Sequence, residues 1–550
     1  MGYLLRKRAT LYTEALFSWL SPKMAATVPQ ASIHTVAQYR LQCANEASVI
    51  SLESPFKLGP LDELVLQFVP IENVFVYRKP ATGSENQLLP IKRLRQALSY
   101  LLDYYPHLTG RLQFNPETHA PEIARFGTGA VLHEAWCNLR LDELVPSDRA
   151  SGRLLVTDLP NCGTALMTPF DPSIDGVCRD PLLAIQHTRF ACGGVVLGIR
   201  LHHIVCDAGG YFQLVRDIAE IYRGLSSFPR PSLKCVPQIR SYLQDINVLS
   251  LQERKEALVY NPTAYYVEQL TESATPAVSN TEGPMMKPTE SATQSVEKPA
   301  KPLITGRVLR FSGNQLQELK RLASDPSGKD WVSTFEALSA HLYQQVYRAR
   351  VQLLLSQGVP PSEAAERLFR GFWASINMRD TSRLNLGPTY FPNAIYPVYG
   401  FVSHELLANG DLWMVAKALH ELVRTVDVQQ MEQTTRWIAV QPDKSHIRVG
   451  FTFADGNFTV SQWSGFKMYV GVDFDVDGKG NPVQPVLVSP PLTEISCVDA
   501  LAMIMSTDED LSRVAEQDNS GPNAIDVNLT LTEPLWSILD KDEQFRKHYL

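Results

Sequence analysis

Apolar positions along this 550-residue chain recur with two different periods. Ile91, Leu94, Leu98, Leu101 and Tyr105 repeat at helical spacing until Pro106 stops the run, so a helix is expected there. Tyr211, Leu214, Val215, Ile218 and Tyr222 make a second helical stripe that ends at Gly224. Phe335, Leu338, Leu342 and Val346 share one face of a third, opened by Ser333-Thr334-Phe335-Glu336, a sequence whose end side chains can each satisfy the other's free N–H. Residues 195–201 are instead a short run, apolar except for Arg200, that reads as a buried strand. Weaker strand-like runs lie at 450–453 and 466–474. Both halves mix the two signals, so the chain is expected to be α/β.

One stretch breaks the pattern. Residues 271–302 are rich in Ser, Thr, Pro, Glu, Ala and Lys, and Thr-Glu-Ser-Ala-Thr begins at both 271 and 289. Such a segment cannot bury enough apolar surface to offset its ordering entropy, so a mobile linker is expected. It separates parts of roughly 270 and 250 residues, each within reach of one large domain. With 44% hydrophobic and 20% charged residues the composition is that of a globular protein. Fifty-one basic against 58 acidic residues leave a net charge of −7, which argues against a nucleic-acid partner. The eight cysteines include no CxxC pair, so neither a disulfide framework nor a zinc module is expected, but free thiols in a reducing compartment.

No apolar run reaches membrane-spanning length. Arg6, Lys7 and Arg8 precede Leu11, Tyr12, Leu16, Phe17, Trp19 and Leu20, but Thr13, Glu14 and Ser18 interrupt that run, so a surface helix or frayed tail is expected rather than a signal peptide. Met1-Gly2 is followed by Arg6 where a myristoylation signal wants Ser or Thr, and the last four residues match no retention or peroxisomal address. The expected location is the cytoplasm, with organelle targeting by the basic N-terminus as the alternative.

The densest chemistry lies between the expected strand and the second helix, in Leu201-His202-His203-Ile204-Val205-Cys206-Asp207-Ala208-Gly209-Gly210. A histidine and an aspartate stand four apart at the mouth of a strand. An imidazole titrates near neutral pH and can move a proton between a hydroxyl and a leaving group. The same string could be a packed core pair or two metal ligands. A metal site would want further ligands at recognisable spacing, so no metal is expected. Cys206 offers a rival nucleophile, provided a cation or helix N-terminus depresses its pKa.

The surroundings resemble the BAHD acyltransferases, the acyl-CoA-dependent family of plant and fungal secondary metabolism, and more distantly the condensation domains of peptide synthetases. Leu58-Gly59-Pro60-Leu61-Asp62 is similar to the family's LSPLD element and Tyr104 through Leu112 to its YYPLAGRL helix end. Residues 181–210 match the strand leading into HxxxDG, and Ser333 through His341 the helix after the crossover. Ile376-Asn377-Met378-Arg379 with Tyr390-Phe391-Pro392-Asn393 resembles the VNxR and YFGN pair, and 461–474 the stretch ending in DFGWG. Six islands in the right order span roughly residues 55–480, which is far more specific than any one motif.

The resemblance implies two chloramphenicol-acetyltransferase-like domains with an active-site channel at their interface. The expected division is an N-terminal extension at 1–50, a first domain at 51–230, a crossover at 231–302 and a second domain at 303–550. It implies a monomer with no bound cofactor, taking acyl-CoA (acetyl-CoA first) as co-substrate and a small hydroxylated acceptor as partner; the CoA-binding residues stay unassigned. His203 falls where the family has its general base, with His202 the extra histidine. Asp207 is implied to be structural, held by an arginine, and Arg379 is the expected partner of Asp473. After Asp473-Phe474 the chain departs from the family with Asp475, Val476, Asp477 and Gly478, so the tryptophan that helps bind the oxyanion in some members has no counterpart. A backbone N–H or the Ser461 hydroxyl near Trp463 is the expected substitute donor, with Ser461 and Trp463 either lining the channel or, for the tryptophan, packed in the core. Pro392 replaces the glycine of YFGN, and Ala208 that of HxxxDG, where Gly209 and Gly210 can absorb any demand for positive φ. His107, His187 and His341 are expected to be packing or surface residues. The altered DFGWG and the long insert are more fungal than plant-like, which points to acylation of a terpenoid alcohol or glycolipid sugar. Two alternatives stand beside this: a condensation-type enzyme using a carrier-bound donor, and a non-catalytic binding relative.

Overall fold

The computed structural model describes residues 32–80, 87–147, 149, 151–268, 302–328, 331–451, 455–516 and 521–549. The basic segment around Arg6 and the low-complexity stretch up to residue 301 lie outside the described residues.

Two six-stranded mixed sheets carry the fold. In chain order their strands are β1 (Ile33–Leu41), β2 (Pro70–Tyr77), β3 (Ala130–Cys137), β4 (Leu183–Phe190), β5 (Val195–His202), β6 (Ile304–Phe311), β7 (Gly371–Asn377), β8 (Ile395–Phe401), β9 (Phe458–Gln462), β10 (Leu487–Ser489), β11 (Leu501–Met505) and β12 (Ile525–Thr532). The first sheet runs β1-β3-β4-β5-β2-β10 and the second β6-β12-β11-β9-β7-β8. The first sheet thus takes its β10 edge from far along the second half. The helices that matter to the site are α1 (Ile91–Leu102), α2 (Ala208–Gly224) and α3 (Thr334–Ser356).

Strand β5 is central and buried along its whole length, which is why its sequence is apolar apart from Arg200, which donates to the Thr168 and Pro169 carbonyls, and the terminal His202. One face, with Val195, Leu197, Ile199 and Leu201, packs on Leu94, Leu98 and Leu101 of α1 and on Leu214, Val215 and Ile218 of α2. On the other face Gly198 lies against the 166–167 backbone, where a Cβ would overlap the Leu166 carbonyl oxygen. In the second half Leu338, Leu342 and Val346 of α3 cover Val460, Ile504 and Val527. The Ser333–Glu336 box forms: Ser333 Oγ accepts from Glu336 N at 3.2 Å, and the Glu336 carboxylate accepts from Ser333 N.

Two strand expectations are corrected. The 466–474 run is a loop, because Lys467 (φ 48°) and Gly471 (φ 75°) turn the chain out of extension. Its carbonyls are taken by first-half side chains instead of a ladder: Tyr77 Oη donates to Val472 O at 2.7 Å and Arg216 Nε to Val470 O at 3.2 Å. Around 450 the strand is Ile447–Val449, paired with Tyr265–Val267, and it ends before Gly450; residues 452–454 lie outside the described residues. Among the described residues, no helix is long and apolar enough to cross a membrane.

Candidate active site

Strand β5 ends at His202, one short turn carries His203, and Asp207 caps α2. Asp207 Oδ1 accepts the N–H groups of Gly209 at 2.9 Å and Gly210 at 3.2 Å, satisfying two of the free donors at a helix start. Neither glycine has positive φ, so the need there is for space: a Cβ at Gly210 would overlap the Phe391 carbonyl oxygen.

Arg379, just past the end of β7, grips the same carboxylate with two bonds, Nη1 to Oδ2 and Nη2 to Oδ1, both 2.8 Å. Ala394 N donates to Oδ2 at 2.8 Å. The rest of the guanidinium reaches Tyr390 O at 2.9 Å and Pro392 O at 2.8 Å. The expected Arg379–Asp473 pair is therefore corrected. Asp473 pairs with Arg223 at 3.3 Å, and Arg223 also donates to its backbone carbonyl. The reason is distance: Asp207 and Arg223 sit at opposite ends of α2, about 24 Å apart at 1.5 Å per residue, and Asp473 lies at the far end.

His203 is partly exposed, while its Nδ1 is buried without a hydrogen-bond partner. Burial pushes the imidazole pKa below its usual 6.5, partly offset by its own carbonyl, the Asp207 charge and Asn393. The ring is neutral at pH 7, the state a base requires. His202 is buried with both ring nitrogens unpartnered, and burial, then Arg200's charge, push its pKa down to about 3. Cys206 is fully buried; burial and then the Asp207 charge raise its thiol pKa well above the usual value, so no thiolate is available as a nucleophile.

Ser461 and Trp463 satisfy each other, with Trp463 Nε1 donating to Ser461 Oγ at 3.0 Å. The indole packs edge-on against Phe212 of α2 at 5.9 Å between ring centroids. Among the described residues, no hydrogen bond joins either side chain to His203. His107, His187 and His341 are all buried, with burial holding their pKa values at about 3, 4 and 3. His107 stacks on Phe56 and His187 Nε2 bonds Leu89 O at 2.9 Å, so these are packing residues. Among the described residues no group of three or more His, Cys, Asp or Glu side chains is placed to hold a metal ion.

Two residues outside the expected set belong to the site. Asp62 is wholly buried and accepts from Gly59 N at 3.0 Å, from Ser241 Oγ, and from Asn393 through both its backbone N (2.9 Å) and its Nδ2 (2.8 Å). Asn393 Nδ2 also donates to the His203 carbonyl oxygen at 2.9 Å. Each stood in one of the sequence islands. Their meeting with the histidine is a tertiary contact that no local pattern encodes.

A family model described as "Transferase family" matches residues 42–514. Hydroxycinnamoyl-CoA:piscidic acid hydroxycinnamoyltransferase of Actaea racemosa is 27% identical over 432 residues, covering 74% of this chain and 81% of that protein. Taxadien-5-alpha-ol O-acetyltransferase of Taxus chinensis is 32% identical over 177 residues, 30% of this chain and 38% of that protein. Among solved structures, F. graminearum TRI101 complexed with coenzyme A and deoxynivalenol superposes with a TM-score of 0.60 at 19% identity, covering 90% of this chain and 99% of that one.

Proposed function

Since the chain belongs to the Transferase family of BAHD acyl-CoA-dependent O-acyltransferases, we propose that His203 is its general base and that the reaction is direct transfer of an acyl group, acetyl first among donors, to a hydroxyl of a secondary metabolite. The observation that carries this reading is a neutral histidine at the strand–helix junction, beside a carboxylate already saturated by other donors. Nε2 takes the acceptor's proton as its oxygen attacks the thioester carbonyl. The tetrahedral oxyanion then collapses, the C–S bond breaks, and the imidazolium returns the proton to the CoA thiolate. A thioester is reactive enough that no enzyme nucleophile is needed, in keeping with the neutral thiol at Cys206.

The donor and acceptor belong to the same proposal. The Taxus relative is named for acetyl transfer to a terpenoid alcohol and the Actaea relative for a hydroxycinnamoyl donor, so both donor sizes occur among relatives. The likeness to F. graminearum TRI101 and the altered segment after Phe474 support a fungal-type member acting on a terpenoid or glycolipid hydroxyl. The proposed units are 51–230 and 303–550, joined by a crossover at 231–302. Thiol release from acetyl-CoA and hydroxycinnamoyl-CoA across a panel of hydroxylated terpenoids and glycolipids, with mass spectrometry of the products, tests it. Faster release and an acetylated product with one acceptor class are expected; release from neither donor with any acceptor overturns the reading.

A further inference from the structure

We propose that Glu72 binds the acceptor: its carboxyl takes a hydrogen bond from a second hydroxyl, so the alcohol acylated at this site is a polyol. The inference rests on the general-base reading of His203 and names the acceptor class of that same site. It starts from strand register. Glu72 of β2 lies directly opposite Arg200 of β5, and Pro70 opposite His202. Directly opposed residues share a sheet face, so Glu72, Arg200 and His202 stand on one side. Glu72 is the diagonal neighbour of His202, a separation of ~7–8 Å in a sheet, and His203 is the next residue along.

Farther along that face, Val74, Val76 and Val196 pack with Ile304, Leu487 and Leu492 of the second half. Glu72 therefore stands on the face turned toward the second half, away from α1 and α2 and at the end of β5 that leads into His203. Two polar side chains at this corner lack partners. Among the described residues, Glu72 makes no hydrogen bond and no ion pair. Its nearest counter-ion is engaged elsewhere: Arg200 Nη1 donates to Thr168 O at 2.9 Å and Pro169 O at 2.7 Å. The guanidinium also lies over the Phe170 ring, 4.8 Å from its centroid. His202 is buried with neither ring nitrogen bonded. Glu72 itself is only half-buried, yet enclosed enough that burial, opposed by the Arg200 charge, raises its pKa to about 7. His203 shares that combination of partial exposure and deep enclosure, which is the mark of a passage wall.

An enclosed carboxyl without a donor costs free energy in the empty enzyme, and a ligand that supplies the donor removes that cost. The donor's charge follows from the neighbour. Arg200 stands directly across from Glu72, so a cationic amine would meet a like charge, and a neutral O–H is the better complement. Glu72 binds and does not react: the hydroxyl that loses its proton is the one at His203, and the proton passes from there to the CoA thiolate.

The test is acceptor preference in thiol release from acetyl-CoA. The panel acceptor with the highest kcat/KM should carry at least two hydroxyls. Among its analogues lacking each further hydroxyl in turn, one should fall at least tenfold in kcat/KM. A monohydroxylated alcohol as the best acceptor, or an amine analogue preferred to the alcohol, overturns the proposal. In Glu72→Leu the preference for the parent over that analogue should shrink at least tenfold through the acceptor KM, with the KM for acetyl-CoA within twofold of wild type. Glu72→Gln, which keeps an accepting oxygen, should restore most of it. An unchanged preference in folded Glu72→Leu overturns the proposal. Because the carboxyl has no partner in the protein, both variants should melt as the wild type does; a lowered Tm in both makes Glu72 a structural residue instead. Should His203→Ala lose turnover while the preference ignores Glu72, only this inference fails. Should His203→Ala keep wild-type turnover, the general-base reading itself fails.

Discussion

At the scale of single residues, the HxxxD pair divides its labour by burial and partner count rather than by spacing. The Asp207 side chain is 3% exposed and that of Arg379 11%, with two bonds between them, so each charge is compensated mainly by the other. Removing one partner of such a pair typically costs about 3–5 kcal/mol. Asp207→Ala should therefore lower the urea midpoint and the soluble yield together, whereas a stable but inactive variant would mean that the carboxylate acts in the chemistry. For His203 the direction of the shift fixes the pH dependence. The proposed role as general base needs the neutral ring, and burial places its pKa below 6.5. The kcat/KM profile should thus have the midpoint of its acid-side decline below pH 6.5, as the ring protonates; a decline centred above 6.5 contradicts this. Cys206→Ala should retain turnover within twofold by the same thiol-release assay, because a buried thiol with a raised pKa carries no acyl group.

At the scale of elements, the site is a strand end, a one-turn bend and a capped helix. Position 210 shows how tightly the bend is enclosed. A methyl there meets the Phe391 carbonyl, and overpacking of this kind costs about 1–3 kcal/mol. Gly210→Ala should lower Tm measurably while Ala208→Gly, which removes only a methyl at a buried position, should leave catalysis intact; thermal melts and initial rates of the two variants check it. Much of this level was legible. The apolar run gave β5, the 3.6-residue stripe gave α2 to its end at Gly224, and Ser333 with Glu336 gave the start of α3. The 466–474 run misled because its apolar side chains do face a core, but that core belongs to the other half of the chain, where Met468, Val472 and Phe474 join the packing around α2. Hydrophobicity records that a residue is buried and not which surface buries it.

At the scale of the whole molecule, the site is assembled where the two halves interlock. Asp62 and Asn393 are 331 positions apart, and Asp207 and Arg379 are 172 apart. Such pairings have no periodicity to read, which is why the islands were recognisable as a set while the Asp62–Asn393–His203 chain and the Arg223–Asp473 pair were not. Tyr77 and Val472 add a third tie between the halves. Tyr77→Phe leaves the buried Val472 carbonyl unpaired, a loss of about 1–3 kcal/mol, and should speed amide hydrogen exchange across 467–475 ahead of the rest of the second half. The account as a whole turns on one imidazole. Its most direct test is the rate of CoA thiol release by His203→Ala at saturating acyl-CoA and acceptor: a folded variant should lose the ~10²–10⁴-fold that a general base contributes, and a folded variant turning over at the wild-type rate would contradict it.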